Sequence, residues 1–545
     1  MSVQRISGRI VDVLRRTEFP GTIEIAGGVI RRITRDDRVR SRRLLMPGLV
    51  DAHIHIESSM LPPAEFARHA VVHGTVATVS DPHEIANVLG VAGVDYMIAD
   101  GRRSPFKFHF GASPCVPATT FETSGATLDA KAVAKLLARP EIKYLAEVMN
   151  FPGVLAGDPS LRAMIAAAKK HGKPVDGHAP GLRGKLAARY AAAGITTDHE
   201  CFTLGEAKDK LAAGMEILIR EGSAARNFAA LAPLLKTNAV AHCMFCCDDL
   251  HPDLLMKRHL DEHVRRALVL GADRFDVIRC ATVNPVKHYG LAVGLLRVGD
   301  PADFIEVESW KNFRVRRTWI DGRLVAAGGR SRLPRQRARI VNQFRALPRR
   351  AVDFAVPAGK GKLNVIQALN GQLITRRLRL RAKIGAGQVA ADPTRDILKI
   401  AVVNRYARSA PVAVGFIRGF GLKAGALASS VAHDSHNIVA VGVDDVSLAA
   451  AVNLVIRHRG GISVVGQGRR AVLPLPIAGL MSDADGCAVA RRYTALDARA
   501  KQLGSRLDAP FMTLAFMALL VIPDLKLSDR GLFSGTKWAF VPRQG

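Results

Sequence analysis

Between residues 48 and 289 the chain repeats one pattern: a short apolar or β-branched run, polar residues at its end and, in most cases, an Ala- and Leu-rich stretch of helical character. The runs fall at 75–79, 106–110, 144–148, 175–177, 195–198, 216–219 and 239–244, and the strand opened by Leu49 and Val50 makes eight. Strands alternating with helices predict βαβ units and a parallel sheet. A span of about 240 residues is near the roughly 250 of a (β/α)8 TIM-like barrel. Polar residues gather at the C-terminal ends of these runs: Ser80-Asp81-Pro82-His83-Glu84, Glu147, His178, Asp198-His199-Glu200 and Asp248-Asp249. Barrel active sites form at that rim, where strand ends and βα loops converge.

The flanks carry a different pattern. Residues 3–45 and 290–328 read as short strands punctuated by Gly and Asp-Gly turns, the signature of small antiparallel sheets. The expected organisation is a small β-sandwich from 1–47 plus 290–330, a metal-binding barrel from 48–289, a basic linker at 331–350 and a C-terminal α/β domain from 351–545. Within the last lies His433-Asp434-Ser435-His436-Asn437, between the apolar run 424–432 and the strand-like 438–443. It reads either as a polar turn or as a loop folded over the barrel mouth.

A chain of 545 residues exceeds one hydrophobic core, and with 48% apolar residues it has material for two or three. Net charge is +30, which raises a nucleic-acid or anionic partner as a candidate. The basic groups, densest at 31–43, 314–350 and 376–383, are not interleaved with stacking aromatics, and aromatics make up only 6% of the chain. That favours a solvated basic surface over a nucleic-acid site. The seven cysteines are odd in number and dispersed, which predicts reduced thiols in a cytoplasm. Cys243, Cys246 and Cys247 lack the second CxxC of a four-thiolate zinc site and read as buried apolar residues. The start of the chain has no apolar core of a secretory signal. The apolar run 512–523 is too short to cross a bilayer.

The candidate chemistry begins in MPGLVDAHIHIESSM, residues 46–60. Side chains two apart on a strand share a face, so Asp51, His53 and His55 point together. Alone, an HxH is a weak signal. Joined by Glu147, His178, His199 and Asp248 from other strand ends, it supplies four imidazoles and two carboxylates, enough for two divalent ions. Mixed nitrogen and oxygen ligands suit zinc, iron(II) or manganese(II). Water held by such ions is a nucleophile near neutral pH, the chemistry of hydrolysis.

The order HxH, carboxylate, His, His, Asp, between PGLVDAHIH and GLLRVGDPADF, resembles the amidohydrolase superfamily. More closely, DAHIHIESSM, HGTVATVSDPHEIANVLG, EVMNFPGV, DGHAPG, TTDHE, DDLHPD and the late ASSVAHDSHNI resemble the bacterial adenine deaminase family over nearly the whole chain. The resemblance implies hydrolytic deamination of adenine to hypoxanthine and ammonia at two divalent ions, Mn2+ or Fe2+ first and Zn2+ also compatible. It places His53 and His55 on the first ion, His178 and His199 on the second, Glu147 between them and Asp248 on the first. Glu147 stands where many relatives have a carboxylated lysine. Asp248 becomes the proton shuttle, Glu84 or His83 the group that serves N1, and Ser58, Asp81, His433 and His436 candidate purine contacts. A homo-oligomer, a dimer, is implied, with a purine base as the small-molecule partner and neither nucleic acid nor membrane. One departure and one ambiguity are visible: Cys247 precedes the final aspartate where Thr or Ser is common, and doubled Asp248-Asp249 leaves a choice of ligand in which the pattern favours the first. The alternatives are an amidohydrolase acting on a modified purine or cyclic amide, and a basic nucleic-acid-binding protein.

Overall fold

A computed structural model describes residues 3–545. Strands β1 (Gln4–Asp12), β2 (Thr17–Ala26), β3 (Val29–Arg35) and β4 (Leu44–Pro47) lead into the barrel. Its first five strands pair in parallel: β5 (Leu49–Ile54), β6 (Thr75–Ser80), β7 (Lys107–Ala112), β8 (Ile142–Val148) and β9 (Val175–Gly177). Three more, β10 (Thr197–Asp198), β11 (Glu216–Arg220) and β12 (Cys243–Cys246), form a second parallel set. The backbone N–H of Thr196 donates to the Val175 carbonyl at 2.8 Å and joins the two sets. The ring closes where Asp248 N donates to the His53 carbonyl at 2.9 Å and His55 N to the Asp248 carbonyl at 3.2 Å. This closure draws the eighth strand end onto the HxH of the first.

Every residue of β5 and β6 is buried, as expected of parallel strands covered on both faces. Gly177 shows how tightly the strands pack beside the rim. A Cβ there would lie 2.4 Å from the Thr197 carbonyl oxygen, so only glycine lets β9 approach β10 immediately before His178. The expected strand at 239–244 is shorter: Asn238–His242 is a 3-10 helix and the strand starts at Cys243. Thr237 competes for the backbone there, its hydroxyl accepting the Ala239 N–H at 3.3 Å.

After the barrel come β13 (Phe304–Val307), β14 (Val315–Ile320), β15 (Arg323–Ala327) and β16 (Arg330–Ser331). Both flanks join in one eight-stranded sheet of order β16-β15-β14-β13-β4-β1-β2-β3. A bridge from Val29 to Pro301 rolls this sheet onto itself around Ile10, Ile23, Ile25, Phe304 and Trp319.

Residues 332–350 contain no helix or strand, but they are fastened down. Ala478 N donates to the Val341 carbonyl at 2.6 Å, and the Arg405 guanidinium lies 5.1 Å from the centre of the Phe344 ring. The C-terminal region is built on a second eight-stranded sheet whose central strands include Leu398–Val403 and Ile438–Gly442. Alternation decides its two faces. Ala401 and Val403 pack with helix Asp445–Arg457, whereas Leu398, Ile400 and Val402 join the core continuous with the barrel. That second face seats the C-terminal region on the barrel mouth. The apolar run 512–523 supplies the buried helix Pro510–Phe516 and the turns after it. Among the described residues no helix is long and apolar enough to cross a membrane.

Candidate active site

The six expected ligand side chains converge. His53 and His55, separated by Ile54 on β5, bring their Nε2 atoms to 3.2 Å. Asp248 Oδ1 lies 3.4 Å from His53 Nε2 and 3.1 Å from His55 Nε2. Glu147, at the end of β8, reaches His55 Nε2 with Oε1 at 3.3 Å, and with Oε2 reaches His178 Nδ1 at 2.6 Å and His199 Nε2 at 3.2 Å. The His199 ring stacks on His53 with centroids 4.2 Å apart. All six residues are buried. Asp248 rather than Asp249 sits against the first imidazole pair. Asp249 lines the cavity beside it and accepts the Ser58 hydroxyl at 2.5 Å.

These residues fit divalent ions. Ligand atoms about 2.0–2.1 Å from one ion lie about 3.3 Å from each other in a tetrahedron. The trio His53, His55 and Asp248 has separations of 3.1 to 3.4 Å. For a second ion, Glu147 Oε2 lies 2.6 Å from His178 Nδ1 and 3.2 Å from His199 Nε2, and the ligand atoms of His53, Glu147 and His199 lie within 4.8 Å of one another. Two imidazole nitrogens facing each other at 3.2 Å cannot both keep a proton there without repulsion, whereas a cation satisfies both lone pairs.

Charge compensation keeps the two carboxylate ligands ionised. Burial would raise the Glu147 carboxyl, but His178, His199 and His55 hold it well below the usual carboxylate range. Burial acts the same way on Asp248, and Arg220 with His53 and His55 outweighs it. His178 loses to burial but is lifted to about 9 by Glu200 and Glu147.

Supporting residues hold this shell. Asp51 Oδ1 accepts the backbone N–H of Cys247 at 3.1 Å and of His53 at 3.3 Å, tying the first strand to the eighth. Its Oδ2 lies 3.2 Å from His259 Nε2, so His259 is structural. The Cys247 main chain thus supplies a bond across the closure whatever its side chain. Arg220, at the end of β11, donates to Asp248 Oδ2 at 2.6 Å and also pairs with Glu200. All three CxxC-region cysteines are free and buried.

The cavity above the shell has two walls. The barrel contributes His55, His83, Glu84, Glu147, Met149, His178, His199, Glu200, Asp248 and Asp249. The C-terminal region contributes Leu373, His433, Asp434, Phe516, Leu519 and Ile522. The HDSHN segment is therefore a lid loop, with His433 Nδ1 2.7 Å from Glu84 Oε1. Three expected purine contacts lie behind the wall instead of on it. Ser58 is spent on Asp249. Asp81 Oδ2 holds His83 Nδ1 at 3.0 Å while its other oxygen takes the Ser113 hydroxyl. His436 is turned onto Glu84. Arg220 and Leu373 are additions that residue patterns did not single out, while Glu200 reads there only as a rim residue and Phe516, Leu519 and Ile522 only as part of an apolar run.

Residues 44–325 match the amidohydrolase family, and residues 372–539 match the adenine deaminase C-terminal domain. The adenine deaminase of Salinibacter ruber is 58% identical over 99% of this chain and 98% of its own. Those of Sulfurovum sp. and Methanosarcina acetivorans are 56% and 51% identical, covering 97% and 99% of this chain and 98% and 99% of their own. Barrel, rim and lid are thus matched from end to end, and the chain belongs to the adenine deaminase family of the amidohydrolases.

Proposed function

We propose that this chain hydrolyses adenine to hypoxanthine and ammonia, using two divalent ions, manganese(II) or iron(II) in preference to zinc(II). His53, His55 and Asp248 would hold one ion and His178 and His199 the other, with Glu147 shared between them. When bound, the ions supply the Lewis acidity that makes water a nucleophile near neutral pH.

The chain's own residues do the rest. The Asp248 carboxylate, kept ionised beside Arg220, takes the proton that the attacking water loses and delivers it to the exocyclic nitrogen as the C6–N bond breaks. His83, held at Nδ1 by Asp81, serves N1 of the ring. Leu373, Phe516, Leu519 and Ile522 present an apolar roof to the planar base and exclude bulk water. The free thiols support a cytoplasmic setting.

One observation carries this reading: six ligand side chains from five strand ends meet beneath a roof drawn from the region matched by the adenine deaminase C-terminal domain. The test is hypoxanthine and ammonia formation by metal-replete protein on adenine, beside a panel of modified purines and cyclic amides. Turnover of another panel member with none of adenine would replace the substrate and leave the hydrolytic centre.

A further inference from the structure

His436, Glu84 and His433 form a chain of contacts leading from the C-terminal region into the cavity. The Nδ1 of His436 accepts the backbone N–H of Ala432 at 3.2 Å, which puts the imidazole proton on Nε2. That Nε2 abuts Glu84 Oε2. The other oxygen, Oε1, lies 2.7 Å from His433 Nδ1. Burial opposes ionisation of Glu84, but His433, His436 and His83 hold it well below the usual carboxylate range. An ionised carboxylate only accepts, so both imidazoles donate to it and Glu84 has no proton to give to N1.

This fixes the orientation of the His433 ring. Its Nδ1–H is committed to Glu84, and its Nε2 has no hydrogen-bond partner among the described residues. The ring is held against Phe516, with centroids 4.3 Å apart and planes 18° from parallel. Burial disfavours its charge, yet Glu84 and Asp249 raise it to about 9, with Asp434 adding to them. His433 lines the cavity whereas His436 does not.

We infer that His433 Nε2 hydrogen-bonds a ring nitrogen of the bound purine, and that Glu84 and His436 are positioning residues that fix the orientation of its ring. No proton is transferred in this contact. The inference rests on the purine reading of the site, and it gives the C-terminal region a direct part in recognising the base.

The experiment measures inhibition constants of 1-deaza-, 3-deaza- and 7-deazaadenine against the metal-loaded parent, His433→Leu, His433→Gln and His436→Leu, with metal content and melting temperature for each. Losing this bond is expected to weaken binding about tenfold to a hundredfold. In the parent, the analogue lacking the contacted nitrogen should bind at least tenfold more weakly than the other two. That discrimination should collapse in His433→Leu at unchanged metal content, return in part in His433→Gln, and shrink in His436→Leu. Equal affinities for all three analogues in the parent, or undiminished discrimination in His433→Leu, would overturn the inference. If His433→Leu does not fold, the parent's discrimination and its weakening in His436→Leu and His433→Gln decide. Failure of the deaminase reading would show separately, as a parent that does not turn over adenine.

Discussion

Replacing Arg220 by methionine removes a guanidinium that is 1% exposed and bound to two carboxylates. Its Nη1 is 2.6 Å from Asp248 Oδ2 and also contacts Glu200, while its Nε and Nη2 have no partner. At the effective dielectric that suits protein sites, one such pair is worth about 4 kcal/mol of attraction, most of it offset by desolvation. Deleting the cation leaves both acids buried and uncompensated, a loss of about 3–5 kcal/mol. The pH dependence has a defined sign. Glu200 is held down to about 2, chiefly by Arg220 against burial, so its contribution is present above the unfolded pKa near 4 and vanishes as pH falls through the folded value. The Met variant should therefore unfold at a higher pH on acidification than the parent. Adding Glu200→Gln removes one of the two stranded charges and should recover part of the loss. Urea unfolding at neutral pH measures all three proteins. An Arg220→Met protein within about 1 kcal/mol of the parent, or a double variant less stable than it, would refute the reasoning.

Two further outcomes follow from the geometry. Glu147→Gln keeps the shape but removes the carboxylate charge that faces His55, His178 and His199; hypoxanthine formation should fall at least 100-fold and metal content below that of the parent, both read on the purified protein. Lys526 is fully buried, donates to the carbonyls of Leu373 and Phe516 at 2.7 and 2.9 Å, and is lowered by burial to about 7. Between that value and its unfolded pKa near 10.4 the unfolded chain binds more protons, so stability relative to Lys526→Met should rise by about 2 kcal/mol from pH 7 to pH 9. Parallel unfolding free energies of the two proteins across that range would contradict it.

The parts of the fold legible in the sequence are those set by local periodicity. Alternation through Asp51, His53 and His55 reads directly as one strand face, and the recurring apolar runs give seven of the eight strands within a residue or two. The misread stretch at 239–242 is apolar like a strand but is turned by the Thr237 cap. Asp248 was ambiguous beside Asp249 because only the strand closure, Asp248 N to the His53 carbonyl, decides which carboxylate faces the imidazoles. Arg220 ends an apolar run and looks like any surface cation; its burial between Glu200 and Asp248 is a tertiary fact. The roof residues Phe516, Leu519 and Ile522 belong to the apolar run 512–523 and Leu373 has no local signal; that they lie over the rim is decided by the seating of the second sheet. Ser58, Asp81 and His436 lie one layer behind the cavity wall, and a sequence does not show which polar atoms are already spent on neighbours.

The central claim is that His53, His55, Glu147, His178, His199 and Asp248 together hold two catalytic cations. Metal content and adenine deamination measured together on one preparation, during stepwise chelation and re-addition, test it most directly. The expected result is two ions per chain, with hypoxanthine formation lost as they are removed and regained as they return. Full activity with one ion or none per chain would contradict it.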